Sequence, residues 1–272
     1  MDYKKIKRAQ ITIFVVVGII IVAAIIILAV FLTNIQNEKK EFLNPKQYIE
    51  SCIKEEIPIP IDKIYEGGGL VDPKLFVLYK NVKYNYLCYA PNFWEACSNL
   101  YPQLIKVIEQ EIKKETEGKI KDCFSRLKDW YENRGYSVID GNLAFSITIL
   151  PDKISVLLNK KLEIKKDEEV QIFDNFGASI PSDLFEVISV VQEVVGQEAK
   201  FCKFEYLGYT IANPQFRMRF INYDENHIYR IKKADSDKEF RFATRGCVYW
   251  RGKVGENLDS AVRYNNAAGG VV

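Results

Sequence analysis

The 272-residue chain is poor in the residues on which most catalytic and metal sites depend. It has a single histidine, His227, and only two methionines. One histidine cannot complete a Cys/His zinc site. A histidine base also needs a nucleophile within reach, and the chain has no G-x-S-x-G sequence. We interpret His227, which follows the polar stretch Asp224-Glu225-Asn226, as solvent-exposed and structural. We predict no catalytic residue, no metal and no cofactor.

The chain also lacks a clear excess of charge of either sign. Its 38 Lys and Arg residues nearly balance 36 Asp and Glu residues, so the formal net charge is +2. Proteins that bind nucleic acids usually carry an obvious basic excess. We therefore expect no nucleic-acid partner.

One segment lacks charge altogether. Residues 11–32 contain no charged residue, and only Thr12 and Gly18 interrupt the apolar run. At about 1.5 Å per residue such a helix spans about 33 Å, which matches the bilayer's hydrocarbon core of about 30 Å. A cleavable secretory signal would have an apolar core of only about 7–15 residues and a small-residue cleavage site. We predict a transmembrane helix over residues 11–33, with residues 11–32 in contact with the lipid bilayer.

The charges that flank this run predict its orientation. Lys4, Lys5, Lys7 and Arg8 precede it, and only Asp2 opposes them. Because positive flanks stay inside, residues 1–10 are predicted to be cytoplasmic and everything after the helix extracellular. The short polar segment 34–44 is interpreted as a stalk. The expected location is thus the cell membrane, with the C-terminal domain outside.

Six cysteines follow the predicted membrane helix, and an even number outside the cytoplasm indicates up to three disulfides among 15 possible pairings. The alternative is six reduced thiols in a cytosolic domain. Two of the cysteines bracket a segment short enough for a local disulfide. Two others lie on apolar faces of predicted helices that can pack together, and two remain. The predicted pairs are Cys52–Cys123, Cys88–Cys97 and Cys202–Cys247.

Apolar residues recur with helical spacing in several segments. A helix from Pro45 should end before Ile57-Pro58-Ile59-Pro60, because proline cannot continue a helix. Gly67-Gly68-Gly69 is predicted as a turn. Two further helices should meet at Gly118 and end at Gly135, and another should begin at Pro181 and end at Gly196.

Alternating apolar residues predict strands near residues 138–149, 154–158, 170–173, 216–221, 228–231 and 240–244. The predicted fold class is an α+β extracellular domain behind one N-terminal transmembrane helix. Within it, residues 45–135 form a helical region rich in aromatic residues and cysteines. Residues 136–260 form an α+β region with antiparallel strands, and residues 261–272 form a flexible tail.

Two groups of residues are candidates for binding a partner. The first lies in the aromatic-rich segment Phe76–Tyr101, because Tyr and Trp supply large, stiff contact surfaces. A small core around a local disulfide is the alternative interpretation. The aromatic candidates are Tyr84, Tyr86, Tyr89, Phe93 and Trp94.

The second group is basic. Arg217 and Arg219 alternate with aromatic residues along one predicted strand, and Arg241 does so along another. Arginines on one face of a sheet can bind an anionic polymer or an acidic partner surface. The alternative is a polar outer face that lies opposite a packed aromatic one.

The residues before the apolar run resemble a known signal. Lys7-Arg8-Ala9-Gln10, followed by Ile11-Thr12-Ile13-Phe14, is similar to the class III signal of archaeal type IV pilin-like proteins. The resemblance implies cleavage between Ala9 and Gln10 and a helix that builds a filament core. The family places Glu at the fifth position counted from Gln10, whereas this chain has Phe14.

A wider resemblance is to uncharacterised membrane-anchored surface proteins of small-genome archaea. The shared features are a Gln-then-Thr-Ile-Phe opening, an early helix like Ile49-Glu50-Ser51-Cys52, a glycine pair like Gly67-Gly68, a helix containing Cys123 and a Pro-led helix like residues 180–195. This resemblance implies the same layout and a Cys52–Cys123 bond, and it implies no activity.

The leading functional hypothesis is a non-enzymatic, membrane-tethered surface protein. Its partner would be an unknown protein or surface polymer, or it would have a structural role in the envelope. A homo-oligomer is a further state that the sequence permits. The alternatives are a pilin-like filament subunit, an envelope enzyme with an unrecognised site, and a subunit of a membrane complex.

Overall fold

The computed structural model describes residues 18–28 and 43–247, and the chain divides into two compact units, Met1–Asn44 and Pro45–Val272. In the first unit residues 18–28 are helical (α1), and their large apolar side chains are exposed. Over the described ranges, no helix combines the length and the apolarity that a membrane crossing requires. The rest of the predicted span, the basic N-terminus, most of the predicted stalk and the predicted tail lie outside the described residues.

The second unit is α+β, as predicted. Its helices are α2 (Pro45–Glu56), α3 (Pro58–Glu66), α4 (Leu104–Glu132), α5 (Leu184–Phe201) and α6 (Tyr206–Ala212). Its first six strands are β1 (Phe76–Tyr79), β2 (Val82–Tyr89), β3 (Ser98–Asn99), β4 (Ser137–Asp140), β5 (Ala144–Leu150) and β6 (Lys153–Asn159). The others are β7 (Leu162–Lys166), β8 (Glu169–Phe173), β9 (Phe176–Pro181), β10 (Phe216–Tyr223), β11 (Asn226–Lys233) and β12 (Phe240–Arg245).

The largest sheet has six strands in the order β1-β2-β12-β11-β10, and β3 pairs with β2. The β2–β12 pair is parallel, while the other pairs in this sheet are antiparallel. Two smaller antiparallel sheets have the orders β4-β7-β8 and β5-β6-β9. Since β2 pairs with β12, the predicted regions 45–135 and 136–260 share a sheet within one compact unit.

Helix α5 covers one face of the large sheet. It contacts β2, β11 and β12 through a buried stripe that includes Leu184, Ile188, Val191 and Val195. The strands present large rings to it, and Tyr229, Phe240 and Phe242 are fully buried. Burial of apolar surface at roughly 25 cal/mol per Å² is the main stabilising contribution here. We call this helix-covered side the inner face of the sheet.

The prolines after α2 begin a helix that the sequence analysis missed. Helix α2 ends at Glu56, as predicted, and α3 starts at Pro58. Proline is tolerated in a first turn, because the N–H it lacks would have no helical partner there. The turn at Gly67 follows as predicted, and both Gly68 and Gly69 have positive φ.

Two predicted helix breaks at glycine are wrong. Helix α4 continues through Gly118, and α5 continues through Gly196 to Phe201. No atom lies within 4 Å of the Cβ position at either glycine, so both face outward. Each glycine costs about 1 kcal/mol relative to alanine, and burial of the continuous apolar stripe on each helix outweighs that cost. Pro181 belongs to β9, and α5 begins three residues later at Leu184.

All six cysteines form disulfides, and the three pairs are those predicted. Cys52–Cys123 joins α2 to α4, with a Cα–Cα distance of 6.5 Å. Cys88–Cys97 closes the loop after β2, and Cys202–Cys247 joins the end of α5 to the end of β12. The second bond attaches the loop after β2 to the large sheet, and the third bond attaches the end of α5 to the same sheet.

Candidate functional site

The predicted arginines lie on the outer face of the large sheet, opposite α5. In β10, Phe216 is buried while Arg217 and Arg219 are exposed, which is the alternation expected along a strand. The register places Arg219 opposite Arg230, and Arg230 opposite Arg241. Lys232 lies opposite Arg217. Cross-strand neighbours share a face, so five cations form what we call the arginine patch: Arg217, Arg219, Arg230, Lys232 and Arg241.

One carboxylate accompanies these five cations. Arg230 Nε donates to Glu239 Oε2 at 2.7 Å, and Arg241 Nε lies 3.5 Å from the same oxygen. Both arginines are partly buried, so Glu239 fixes them in place and partly neutralises them. Arg217 and Arg219 have neither an ion pair nor a hydrogen bond from their side chains to any other part of the chain that the structure describes. Their donors are directed at solvent.

A second group of side chains adjoins the patch on this face. Tyr84 and Tyr86 of β2 are buried together with Ile228 and Ala243, and partly buried residues surround them. We call this group the tyrosine cluster, and its surrounding members are Val77, Tyr79, Val82, Tyr89 and Ile221. Every member belongs to a strand of this sheet. Among the described residues the cluster therefore consists of strand side chains that pack on one another, with no member from a helix.

For Tyr84 and Tyr86 the tyrosine cluster agrees with the interpretation of a small core and contradicts their role as binding candidates. Tyr84 and Tyr86 are only 3% and 7% exposed, so they form a small core and cannot present a contact surface. The Tyr86 hydroxyl donates to Asn226 Oδ1 at 2.6 Å, and burial raises the pKa of Tyr86 to about 12. Tyr89 is partly buried and accepts a hydrogen bond from Arg245 Nη1 at 3.0 Å.

Phe93 and Trp94 lie elsewhere, in the loop that the Cys88–Cys97 bond closes. Trp94 is 58% exposed, and its ring meets that of Phe93 edge-on at 5.0 Å. The backbone N–H of Cys247 donates to the carbonyl of Glu95 at 2.9 Å, which holds the loop against the end of β12. The five aromatic candidates are therefore divided between a buried cluster and an exposed loop.

His227 is buried, which contradicts the prediction that it is solvent-exposed. It is 8% exposed, and its Nδ1 lies 3.1 Å from Glu198 Oε2 of α5. The Tyr229 hydroxyl donates to the same carboxylate, and burial followed by the Glu198 charge raises the pKa of Tyr229. His227 and Tyr229 are two residues apart in one strand and so share the inner face. Because all three groups are enclosed, we assign them to packing.

Sequence reasoning missed Arg230, Lys232 and Glu239. For the two cations the signal lay in the register of the β10–β11 hairpin, because pairing Tyr223 with Asn226 places Arg230 opposite Arg219 and Lys232 opposite Arg217. No protein-family model, no curated protein and no solved structure matches this chain. The functional assignment therefore depends on the geometry of the outer face.

Proposed function

We propose that this chain is a membrane-anchored cell-surface protein whose external α+β domain binds a carboxylate-bearing polymer through the arginine patch. One observation carries the proposal. Arg217 and Arg219 are exposed and have no charged partner among the described residues, within a patch that holds five cations and one carboxylate. Cations held together in this way create a local positive potential despite a net charge near zero.

The anchor is supported by residues 11–32. This run has no charge, and its described part is helical with exposed apolar side chains. Exposing apolar side chains to water costs roughly 25 cal/mol of free energy per Å², and burying them in lipid removes this cost. Three disulfides fit an oxidising environment outside the cytoplasm. The basic residues before the run favour a cytoplasmic N-terminus.

The spacing of the patch suits a repeating anion. Neighbouring strands lie about 4.8 Å apart, so Arg219, Arg230 and Arg241 form a row across three strands. The Arg217–Lys232 pair forms a second, parallel row. Guanidinium groups bind carboxylates through paired hydrogen bonds, and a polymer with regularly repeated carboxylates can occupy several cations at once.

Binding of polyglutamate to the full-length protein in zwitterionic nanodiscs tests this proposal. We expect the double substitution Arg217→Glu with Arg219→Glu to weaken binding at least tenfold, because it removes two unpaired cations and adds two anions. The matched control is Lys63→Glu with Lys119→Glu, which makes the same change of charge at exposed helix positions. If both variants bind alike, the patch is not the site.

The anchor has a separate test. Protease added to intact cells should cleave the chain beyond residue 34, and cleavage confined to residues 1–10 would reverse the orientation. Mass spectrometry of the N-terminus tests the pilin-like alternative, which is favoured by the Ala9-Gln10 sequence. That alternative requires a mature protein that begins at Gln10.

A further inference from the structure

Helix α6 presents an uncharged, apolar face to solvent. None of its seven residues is charged, and Leu207 and Ile211 are 58% and 82% exposed. These two residues are four apart and therefore share one face of the helix. On the other side, Tyr206 stacks on Phe220 at 5.2 Å, and Tyr209 packs on Phe204 at 5.3 Å. The tyrosines thus attach α6 to the domain with its aliphatic side chains directed outward.

Two further exposed rings lie on segments that a disulfide and a hydrogen bond connect near α6. Phe201, the last residue of α5, is 63% exposed, and the next residue forms the Cys202–Cys247 disulfide. The backbone of Cys247 is hydrogen-bonded to Glu95, which neighbours the exposed Trp94. One disulfide and one hydrogen bond therefore connect the two segments. We call these four residues the apolar corner: Trp94, Phe201, Leu207 and Ile211.

The apolar corner is too small for a stable protein interface. A whole aromatic side chain offers roughly 150–250 Å², so four partly exposed side chains offer on the order of 500 Å². A standard protein interface needs about 800 Å² on each partner. Lys203 pairs with Glu205 at 3.1 Å, so this pair adds no net charge beside the patch. Lys200 is the basic side chain in contact with the Phe201 ring, and a single cation gives a protein partner little electrostatic selectivity.

We infer that the apolar corner inserts into the interface of the lipid bilayer and so holds the external domain against the membrane. Trp is enriched at this interface, and interfacial helices carry Lys on their polar side. Lys200 lies 4.9 Å from the Phe201 ring. Aliphatic and aromatic side chains on a short helix bury shallowly between headgroups and acyl chains. The inference rests on the proposed anchor, since the anchor keeps the domain near the bilayer.

The predicted stalk has the reach that this contact requires. Its 11 residues, 34–44, extend to at most about 40 Å. A domain of about 200 residues has a radius of gyration of about 17 Å, so a stalk of this length allows sides of the domain other than the one that carries Pro45 to meet the lipid. A short tether also raises the effective concentration at the membrane to the millimolar range, at which a shallow, four-residue contact is sufficient.

Photolabelling from within the bilayer tests this inference. The full-length protein is reconstituted into phosphatidylcholine vesicles that contain a lipid with a diazirine on its acyl chain, and lipid adducts are mapped by mass spectrometry. We expect adducts in residues 11–32 and also in residues 201–212. Leu207→Asp with Ile211→Asp should reduce labelling of 201–212 at least fivefold and leave labelling of 11–32 unchanged.

The matched control is Ile139→Asp with Ile172→Asp, an exposed apolar pair on β4 and β8 of a separate small sheet. It should leave labelling of 201–212 unchanged. Adducts in 11–32 without adducts in 201–212 overturn the inference but keep the anchor, whereas no adducts in 11–32 overturn the anchor itself. Labelling of 201–212 in the wild type is a test even if a variant fails to fold. If a second copy or residues 248–272 cover the corner, chemical crosslinking should join Lys200 to protein, and residues 201–212 should carry no lipid adducts. That outcome would also overturn the inference.

Discussion

The two faces of the large sheet are both rich in aromatic residues, yet they use different ones. Phenylalanines such as Phe240 and Phe242 occupy the inner face beneath the helices, whereas tyrosines such as Tyr84 and Tyr86 occupy the outer face. Phe has no polar atom and can be buried without a partner, while a Tyr hydroxyl needs one. Tyr229 is an inner-face tyrosine, and the Glu198 carboxylate accepts its hydrogen bond. The type of aromatic residue therefore follows the polar partners that each face offers, as the Tyr86 hydrogen bond to Asn226 shows on the outer face.

The largest expected change in stability comes from truncating a side chain of the inner face. Phe242 is fully buried and stacks on Tyr229 at 5.2 Å. Phe242→Ala should lower the free energy of unfolding by about 3–5 kcal/mol, through lost burial and the cavity left behind. Urea unfolding followed by intrinsic fluorescence measures this. A loss below about 1 kcal/mol would mean that the inner face is not the main core.

A smaller effect is expected from the buried polar group on the same face. Glu198→Gln keeps the size of the side chain but replaces one acceptor oxygen beside His227 and Tyr229. We expect a loss of about 1–3 kcal/mol, because a buried polar group is left without a suitable partner. Glu193→Gln, at an exposed position of the same helix, should change stability by less than about 0.5 kcal/mol. Equal effects would remove the distinction between the two carboxylates.

On the outer face, Tyr86→Phe removes the hydrogen bond to Asn226 and should cost about 0.5–1.5 kcal/mol at neutral pH. Burial raises the pKa of Tyr86 from 10.0 to about 12. The unfolded chain therefore releases this proton from pH 10 upward while the folded chain retains it, so stability falls as the pH rises from 10 to 12. Tyr86→Phe should reduce that slope. Tyr223→Phe, at an exposed tyrosine of the same face, is the control.

The smallest effect on stability is expected in the arginine patch. Arg219→Ala should change the free energy of unfolding by no more than about 0.5 kcal/mol, because the side chain is exposed and has no described partner. Arg230→Ala should cost more, since it breaks the ion pair with Glu239. Urea titrations of the two variants compare them directly. The opposite order would show that Arg219, rather than Arg230, is structurally fixed.

The sequence predicted the local features of this fold well. The α+β class, the end of α2 before Pro58 and the strand alternation in β10–β12 all follow from periodicity and turn chemistry within short segments. The three disulfide pairs were also predicted, two of them because each cysteine's setting indicated its partner. The predictions failed where one residue was interpreted without its surroundings, as at Gly118 and Gly196.

The sequence by itself determined the uncharged run at residues 11–32, the even number of cysteines and the alternation of arginine with aromatic residues, because these are properties of the chain read residue by residue. Only the tertiary structure decided that His227 is buried against Glu198, that Tyr84 and Tyr86 form a core, and that Arg230 and Lys232 join Arg217 and Arg219. The physical reason is that burial and strand pairing are set by residues far away in the sequence. α5 covers one face of the sheet, and the parallel pairing of β2 with β12 brings the tyrosines beside the arginines.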